Sequence, residues 1–228
     1  MNQIRVCAIL LAAGSGSRMN LDVTKQKLEI KGKSILLRCL EAFENCVDIT
    51  DIVLVAKEDE KDFAALEAKG ISKLRGIVTG GARRTESAKN GFVAIDFSCD
   101  YVAIHDVARC LISPNMITKV VRDAVSYGAA SASSVVVDTV KKVDSEGFAV
   151  STVNRDLLRI ASTPKIFRSD LYSKALSEVD LSDISITDDN MLMEKIGVPV
   201  FMTDIGKGNI KITHAEDLAL AECLLESM

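Results

Sequence analysis

The chain has 228 residues, of which 48% are hydrophobic, and its formal net charge at pH 7 is −4. This length and composition allow one substantial core, so a single domain over 1–228 is expected. Its basic residues form no block that would hold a nucleic acid, and its longest apolar run, 6–13, is too short to span a membrane. We therefore expect a cytoplasmic protein that acts on a small molecule.

The first part of the chain alternates strand-like and helix-like segments. Apolar runs predict five strands, at 4–13, 51–56, 74–78, 101–105 and 131–137. Apolar residues at helical spacing predict four helices, at 34–46, 58–68, 85–95 and 114–127. Ser113 followed by Pro114 is typical of a helix start. This alternation predicts a parallel sheet between helices, with ligands bound at the carboxyl ends of its strands.

The pattern changes after residue 137. Two short β-branched runs flank the turn sequence Asp144-Ser145-Glu146-Gly147, which predicts a hairpin over 138–159. The hairpin has little apolar surface for a core of its own, so it is expected to pack on another element or another subunit. The remaining segments are predicted as helices at 169–178 and 187–196, a strand at 198–203, and a last helix opened by the capping box Thr213-His214-Ala215-Glu216.

A glycine-rich loop, AAGSGSRM, follows the first predicted strand, where its backbone amides could bind phosphate oxygens. It is not a P-loop, because no Gly-Lys-Ser/Thr follows, and the dinucleotide fingerprint is weak because Met19 stands at its third glycine position. The cations that follow, Arg18, Lys25 and Lys27, would suit a triphosphate attacked at its α-phosphorus. A tight turn with solvated lysines is the simpler alternative.

Two more motifs follow predicted strands. In GGARRTES, residues 80–87, the glycines allow the backbone to approach a ligand closely, and Arg84 could reach across that ligand. The alternative is a helix cap with surface arginines. In IHDVAR, Asp106 could hold a Mg²⁺ ion that bridges phosphates, and Arg109 could bind a phosphate; the alternative is that Asp106 pairs with Arg109. His105 is expected to be a hydrogen-bonded core histidine rather than a catalytic base.

Three later stretches, Thr163-Pro164-Lys165, 186–189 and 209–213, are predicted to lie where elements begin or end. Together their hydroxyls and lysine could fix a second anionic substrate, although each one alone is explained by a turn or a helix cap. The chain has no G-x-S-x-G nucleophile motif. An attacking phosphate monoester, which is largely ionised at neutral pH, would need no general base.

The motifs together resemble one family from residue 6 to nearly the C-terminus. The order and spacing of the 2-C-methyl-D-erythritol 4-phosphate cytidylyltransferases are matched by AAGSGSRM, KQKL, GGARRTES, IHDVAR, DTVK, VNRDLL, STPKIF, ITDDN and NIKITHAEDLALAE. The resemblance implies an α/β, Rossmann-like nucleotidyltransferase fold, with a mostly parallel sheet flanked by helices and a protruding β-hairpin arm. It implies Mg²⁺ as the metal and a homodimer in which the arm, 138–159, reaches into the partner. The implied reaction joins CTP to a polyol phosphate, with release of pyrophosphate, in isoprenoid precursor synthesis.

The resemblance also implies a role for individual residues, position by position. Stabilisation of the charged transition state is assigned to Arg18, Lys25, Arg155 and Lys211. Contacts with CTP are assigned to Ala12, Ala13, Gly14, Gly81, Ala82, Ser87, Asp106 and Val107, with Asp106 also at the metal. The phosphate of the second substrate is assigned to Arg109, Thr139, Arg155, Thr187 and Lys211, of which Thr139 and Arg155 would come from a partner's arm.

Three other functions remain open at this point. Ribitol 5-phosphate cytidylyltransferases have a similar layout, although the alanine before Arg109 favours the methylerythritol enzymes. A CTP-binding module without catalysis is suggested by the loss of family prolines at Leu11 and Thr24, which would loosen the loops, and by the changed residues Ala82 and Cys110. Lys27 and Ala82 also depart from the family pattern, at positions that bear on base or substrate preference. An NAD-dependent oxidoreductase would rest only on Gly14-x-Gly16.

Overall fold

A computed structural model describes residues 4–14 and 24–226. The strands are, in chain order, β1 (Val6–Leu11), β2 (Glu29–Ile30), β3 (Lys33–Ser34), β4 (Asp51–Ala56), β5 (Leu74–Thr79), β6 (Tyr101–Asp106), β7 (Ala129–Val135), β8 (Lys141–Val143), β9 (Ala149–Thr152), β10 (Arg159–Arg168) and β11 (Phe201–Asp204). The α-helices are α1 (Ile35–Glu44), α2 (Lys61–Glu67), α3 (Arg84–Val93), α4 (Pro114–Tyr127), α5 (Ser169–Glu178), α6 (Asp189–Lys195) and α7 (Glu216–Glu226).

The main sheet has seven strands in the order β11-β7-β10-β6-β1-β4-β5. Strand β1 lies parallel to β4 and β6, β4 parallel to β5, and β7 parallel to β11. Only β10 is antiparallel to both of its neighbours in this sheet, β6 and β7. The expected α/β architecture with a mostly parallel sheet is therefore confirmed, and the carboxyl ends of β1, β4, β5 and β6 meet at one edge.

Helices cover both faces of the sheet because its central strands are apolar on both sides. On β1, Ala8 and Leu10 belong to the core that α1 and α4 complete, whereas Ile9 belongs to the opposite core. That second core contains Phe167 and Tyr172, whose stacked rings lie 5.6 Å apart. Each fully buried side chain of this size contributes about 1.5–3 kcal/mol. The two cores hold the strand ends, and hence the loops that follow them, in fixed relative positions.

Two predicted helix starts have different outcomes. Ser113 accepts a hydrogen bond from the Met116 amide at 3.3 Å and Pro114 is the first helical residue, as predicted. The predicted capping box at Thr213-His214-Ala215-Glu216 is wrong, because the side chain that reaches back is Asp217. Its Oδ2 accepts from the amides of Thr213 and His214 at 2.6 and 2.8 Å. The acceptor therefore stands one residue later than the pattern indicates.

Strand β10 contradicts the prediction that Thr163-Pro164-Lys165 marks the end of an element. These residues lie inside a strand at the centre of the sheet, and the Thr163–Pro164 peptide bond is cis. The pairing with β7 shifts register between Ala161 and Lys165, so Pro164 stands where the ladder is interrupted. A bulge of this kind is one of the few places where a strand tolerates a residue without an N–H donor.

The predicted hairpin is present. Strands β8 and β9 pair antiparallel, and Oδ1 of Asp144 accepts from the amides of Glu146 and Phe148 across the turn. Gly147 adopts a φ of 92°, a conformation that favours glycine. Both strands are exposed along their whole length. In the described residues, no helix has the length and apolar character needed to cross a membrane.

Candidate functional site

A cavity of about 540 Å³ opens at the carboxyl ends of β1, β4, β5 and β6. We call it the main cavity; its lining is Leu11, Ala13, Gly14, Lys25, Gln26, Ile35, Lys57, Gly81, Ala82, Arg83, Arg84, Ser87, Asp106, Val107, Ala108 and Lys211. Its size is typical of sites that hold a nucleotide-sized ligand, and its position is the one expected for ligands of open α/β sheets.

The loop after β1 is held from two sides. The Ala12 amide donates to the Val55 carbonyl at 2.7 Å, which continues the ladder between β1 and β4. From the other side, Nε2 of the buried Gln26 donates to the carbonyls of Ala12 and Gly14. Because Lys25 precedes Gln26 in a 3₁₀ turn and lines the cavity, the same contact fixes this lysine segment against the glycine loop.

The loop after β5 packs directly against the loop after β1. A Cβ added to Gly80 would lie 2.3 Å from Cβ of Ala13, so only glycine allows this approach. Gly81 donates its amide to Oγ of Ser87 at 3.0 Å, and the Ala82 amide donates to Glu86 at 2.9 Å. Two side chains at the start of α3 thus set the path of the glycine pair.

Four charged side chains form a cluster at the cavity wall. Nε of Arg84 donates to Oδ1 of Asp106 at 2.8 Å, and Nζ of Lys211 donates to Oδ2 of Asp106 at 2.7 Å. The same guanidinium donates from Nη1 to Oδ2 of Asp189 at 2.5 Å. Arg84, Lys211, Asp106 and Asp189 therefore form an alternating chain of two cations and two anions, and their formal charges cancel.

The cluster keeps Asp106 and Arg84 ionised at neutral pH. Burial by itself would raise the pKa of Asp106, but Arg84 and Lys211 outweigh it and hold that pKa well below its usual range. Burial would likewise lower the pKa of Arg84, yet Asp189 and Asp106 raise it above the ordinary arginine value. The wall therefore presents fixed charges, which is what a site for a polyphosphate requires.

His105 is a core residue, as predicted. It is fully buried, its Nδ1 lies 3.0 Å from Oγ1 of Thr163, and its Nε2 lies 3.3 Å from the Arg109 carbonyl. Burial lowers the pKa of His105 to about 3, so the ring is neutral at physiological pH. Thr163 also accepts a hydrogen bond from the Asp106 amide at 3.1 Å, so this pair supports the strand end rather than a proton transfer.

A second cavity of about 360 Å³ lies beside the first. Its lining comes from the loop after β6, the end of β7 and the residues after it, β10, and the segment after β11: Arg109, Ser134, Val135, Val136, Val137, Asp138, Ile160, Ser162, Gly206, Lys207, Asn209, Ile210 and Lys211. Arg109 is oriented by a 2.9 Å hydrogen bond from Nη1 to the Asn209 carbonyl. Within the described residues, Lys211 alone lines both cavities.

The structure brings together most of the residues assigned from the resemblance. The main cavity is lined by Ala13, Gly14, Lys25, Gly81, Ala82, Ser87, Asp106, Val107 and Lys211, and Ala12 is buried directly behind it. Arg109 lines the second cavity. Thr139 and Arg155 are exposed on and beside the hairpin, and Thr187 is exposed before α6; none of these three lines either cavity. Arg18 lies outside the described residues.

Two alternatives from the sequence are wrong. Arg84 is not a surface arginine, since it is held in the two ion pairs described above. The Asp106 carboxylate does not pair with Arg109, whose backbone amide donates to the Asp106 carbonyl at 2.9 Å. Lys165 also departs from the expected role at a substrate rim, because it is buried and pairs with Asp188.

Sequence reasoning missed the residues that support the site from behind. Gln26, Asp189 and Asn209 are buried, and each bonds a partner distant in the chain or a loop carbonyl. The Arg84–Asp189 pair joins residues 105 positions apart, so no local pattern indicates it. The one available signal was two adjacent acids, Asp188 and Asp189, at a predicted helix start.

The cavity wall fits a metal that arrives with its substrate. No group of three or more His, Cys, Asp and Glu side chains stands ready to bind a metal within 4–14 and 24–226. Magnesium, however, is commonly held by one or two carboxylates together with waters and substrate phosphates. Asp106 at the end of β6 is the carboxylate that faces the main cavity and matches this mode.

Comparison with known proteins places the chain among close relatives. The family model described as IspD: 2-C-methyl-D-erythritol 4-phosphate cytidylyltransferase matches residues 6–227. A protein of that name from Clostridium perfringens strain SM101 is 39% identical over 220 residues, which cover 96% of this chain and 97% of the relative. One from Clostridium botulinum strain 657 is 38% identical over 222 residues, with the same coverage.

Solved structures agree with these matches. The 4-diphosphocytidyl-2C-methyl-D-erythritol synthase of Anaerococcus prevotii superposes with a TM-score of 0.88 at 28% identity, over 99% of this chain and 97% of that one. The 2-C-methyl-D-erythritol 4-phosphate cytidylyltransferase of Francisella tularensis superposes with a TM-score of 0.79 at 26% identity, over 96% and 99% of the two chains.

Proposed function

The chain belongs to the family of 2-C-methyl-D-erythritol 4-phosphate cytidylyltransferases, and we propose how its two cavities divide the family's reaction. As a nucleotidyltransferase, it moves a cytidylyl group from CTP to 2-C-methyl-D-erythritol 4-phosphate, with release of pyrophosphate, in isoprenoid precursor biosynthesis. In our proposal CTP occupies the main cavity and the polyol phosphate the second cavity. The observation that carries this division is Lys211, which lines both.

CTP would be held by the loops that follow β1, β5 and β6. The proposed contacts are Ala12, Ala13, Gly14, Gly81, Ala82, Ser87, Asp106 and Val107. Backbone amides of glycine-rich loops at strand ends are suited to phosphate oxygens. Lys25, together with Arg18, would offset the negative charge that grows on the α-phosphate oxygens in the transition state.

The polyol phosphate would bind Arg109 and Lys211, with Thr187 also contributing and with Thr139 and Arg155 supplied by a partner's arm. Arg155 and Lys211 would then share the transition-state charge with Lys25 and Arg18. An oxygen of the polyol phosphate attacks the α-phosphorus and forms a new phosphorus–oxygen bond. The bond from the α-phosphorus to its bridging oxygen breaks, and pyrophosphate leaves.

No general base is needed for this step. The second pKa of a phosphate monoester is about 6, so the attacking oxygen is already largely ionised at neutral pH. The neutral and fully buried His105 is consistent with a reaction that depends on positioning and charge.

We propose Mg²⁺ as the metal, with Asp106 as its protein ligand. When bound with CTP, the ion would neutralise part of the phosphate charge. The low pKa of Asp106 keeps this ligand deprotonated, and the contact of Arg84 with one carboxylate oxygen fixes its orientation. Lys211, which holds the other oxygen, is the group that would turn from Asp106 towards phosphate.

We also propose a cytoplasmic homodimer, each subunit being a single domain with 138–159 as its arm. On the arm, Val143, Phe148, Val150 and Leu157 are each more than half exposed. Apolar side chains at this density on a two-stranded hairpin favour burial against a partner chain. The cytoplasmic location is supported by the use of CTP as substrate.

Pyrophosphate release from CTP with Mg²⁺ tests the function, with 2-C-methyl-D-erythritol 4-phosphate and ribitol 5-phosphate as parallel acceptors. We expect turnover with the first; turnover with ribitol 5-phosphate alone would contradict the assigned acceptor, and CTP binding without turnover would indicate a module without catalysis.

Two variants test the division of the cavities. Arg109→Ala should raise KM for the polyol phosphate and leave CTP affinity unchanged, whereas Ser87→Ala should do the reverse. Equal effects of both variants on both substrates would contradict it.

A further inference from the structure

Asp189 is a fully buried carboxylate outside the lining of both cavities. It is the first residue of α6. Oδ2 accepts a hydrogen bond from Nη1 of Arg84 at 2.5 Å, and Oδ1 accepts one from the hydroxyl of Tyr172 at 3.2 Å. A buried charge persists only when it is paired and hydrogen-bonded, and Asp189 meets both conditions.

Arg84 is consequently divided between two carboxylates. Its Nη1 is bound to Asp189 and its Nε to Asp106, while Nη2 is buried and has no hydrogen-bond partner. A guanidinium normally pairs with a carboxylate through two parallel N–H···O bonds. Asp189 anchors Nη1, so the guanidinium cannot turn to bring Nη2 to the second oxygen of Asp106 without losing that contact. Arg84 thus occupies one oxygen of Asp106, and the other is left to Lys211.

We propose that Asp189 is a positioning residue for cytidylyl transfer. It holds Arg84 in a single contact with Asp106. The second oxygen of Asp106 thus stays available to Lys211 and, when substrate binds, to the nucleotide and its metal. This inference rests on the proposed function of the main cavity. With Asp189 neutralised, Arg84 can turn towards Asp106 and take both of its oxygens. Arg84 would then compete with the metal and with Lys211 for the same carboxylate.

The structure offers a matched control for the loss of a buried aspartate. Asp51 is also fully buried, and it pairs with Arg75 at 2.5 Å and with Arg5 at 2.9 Å. It stands at the start of β4, so it lies at the opposite end of the strand from the cavity. A purely structural role for Asp189 predicts that both Asp→Asn variants lower thermal stability and leave the kinetics of the folded enzyme alone.

The test compares the wild type with Asp189→Asn and Asp51→Asn. We would measure pyrophosphate release over a range of both substrates and of Mg²⁺, and titrate CTP and Mg²⁺ calorimetrically without acceptor. For Asp189→Asn we expect kcat/KM for CTP to fall about 10-fold, the lower end of the usual effect of disturbing a hydrogen-bond partner of a metal ligand, because Asp189 acts on Asp106 through Arg84. We also expect a higher Mg²⁺ requirement, weaker calorimetric binding and an unchanged KM for the polyol phosphate. Asp51→Asn should lose thermal stability only.

A double-mutant cycle with Arg84→Met distinguishes positioning of Arg84 by Asp189 from a general effect on packing. If Asp189 acts through Arg84, Asp189→Asn should have no further effect on kcat/KM for CTP in the Arg84→Met background. Should Asp189→Asn fail to fold, Tyr172→Phe removes only the hydrogen bond to Oδ1 and should lower kcat/KM for CTP about 2- to 10-fold.

Three results would overturn the proposal. The first is wild-type kinetics in folded Asp189→Asn, or in Tyr172→Phe if that variant replaces it. The second is an equal loss of kcat/KM for CTP in Asp51→Asn, and the third is an undiminished effect of Asp189→Asn in the Arg84→Met background. An inactive wild type would instead count against the proposed function. In that case the calorimetric comparison of CTP binding still decides the role of Asp189.

Discussion

Replacing Gly80 by alanine is the smallest change that disturbs the main cavity. An alanine Cβ at this position would lie 2.3 Å from Cβ of Ala13 and 2.9 Å from Oγ of Ser87. Both neighbours are proposed CTP contacts, one in the loop after β1 and one at the start of α3. The φ of Gly80 lies outside the left-handed region, so the whole effect comes from this contact and not from backbone strain.

The size of the effect follows from that distance. Ordinary van der Waals contact for a Cβ begins at 3.4 Å, so the two loops must separate by about 1 Å. Overpacking of this kind costs about 1–3 kcal/mol of stability. A displacement of about 1 Å at reacting groups lowers turnover about 100-fold, which is the loss in kcat/KM for CTP that we expect for Gly80→Ala.

Gly76→Ala is the control, because it places the same methyl group in β5 with no heavy atom within 4 Å. This variant should match the wild type in activity and gain up to about 1 kcal/mol in stability. Pyrophosphate release and thermal unfolding of both variants are the measurements. If Gly80→Ala stayed within threefold of Gly76→Ala in kcat/KM for CTP, the packing of the two loops would not control the geometry of the main cavity.

Three other predictions concern charge and assembly. Lys25→Ala should lower kcat two to three orders of magnitude, the usual loss for one preorganised donor, and a near-normal rate in the pyrophosphate assay would remove Lys25 from the mechanism. Burial would raise the pKa of Asp51, but hydrogen bonds from Thr50, Arg75 and Arg5 lower it below its ordinary value. Ionised Asp51 therefore stabilises the fold above about pH 4, and this contribution is lost as the pH falls through the folded-state pKa. The difference in Tm between wild type and Asp51→Asn should therefore shrink below about pH 4 in thermal melts. Phe148→Asp should shift the proposed dimer towards monomer in sedimentation velocity, and an unchanged oligomer would contradict the role given to the arm.

Much of the sheet could be predicted because its strands are marked by local pattern. Within β4, Ile52–Ala56 is an uninterrupted apolar run that is buried on both faces. The helix Pro114–Tyr127 is preceded by a serine cap and begins with a proline. Strand β10 could not be found in the same way. Its Pro164 argues against a central strand, and the register shift that accommodates this proline depends on pairing with β7, 30 residues earlier.

The residues of the candidate site also differ in whether the local sequence could predict them. Gly14, Gly81 and Asp106 could be singled out because each follows a predicted strand, and a parallel sheet collects such positions at one edge. Gln26 and Asp189 look like surface residues in the sequence, since polar side chains usually are. Their burial depends on partners supplied by distant segments, and those partners become visible only in the folded chain.

The antiparallel strand β10 has a consequence for how the fold can change over evolution or by design. It lies between the parallel strands β6-β1-β4-β5, whose loops line the main cavity, and the strands β7 and β11. The end of β7 and the segments that follow β7 and β11 supply most of the lining of the second cavity, to which the loop after β6 adds Arg109. Among the described residues, Lys211 is the one element common to both cavities. In the proposed division of the cavities, the acceptor side, 134–138 and 206–210, could be remodelled for a different phosphorylated alcohol while the CTP side keeps its loops. The sheet would then be a modular scaffold for activating alcohol phosphates with one nucleotide.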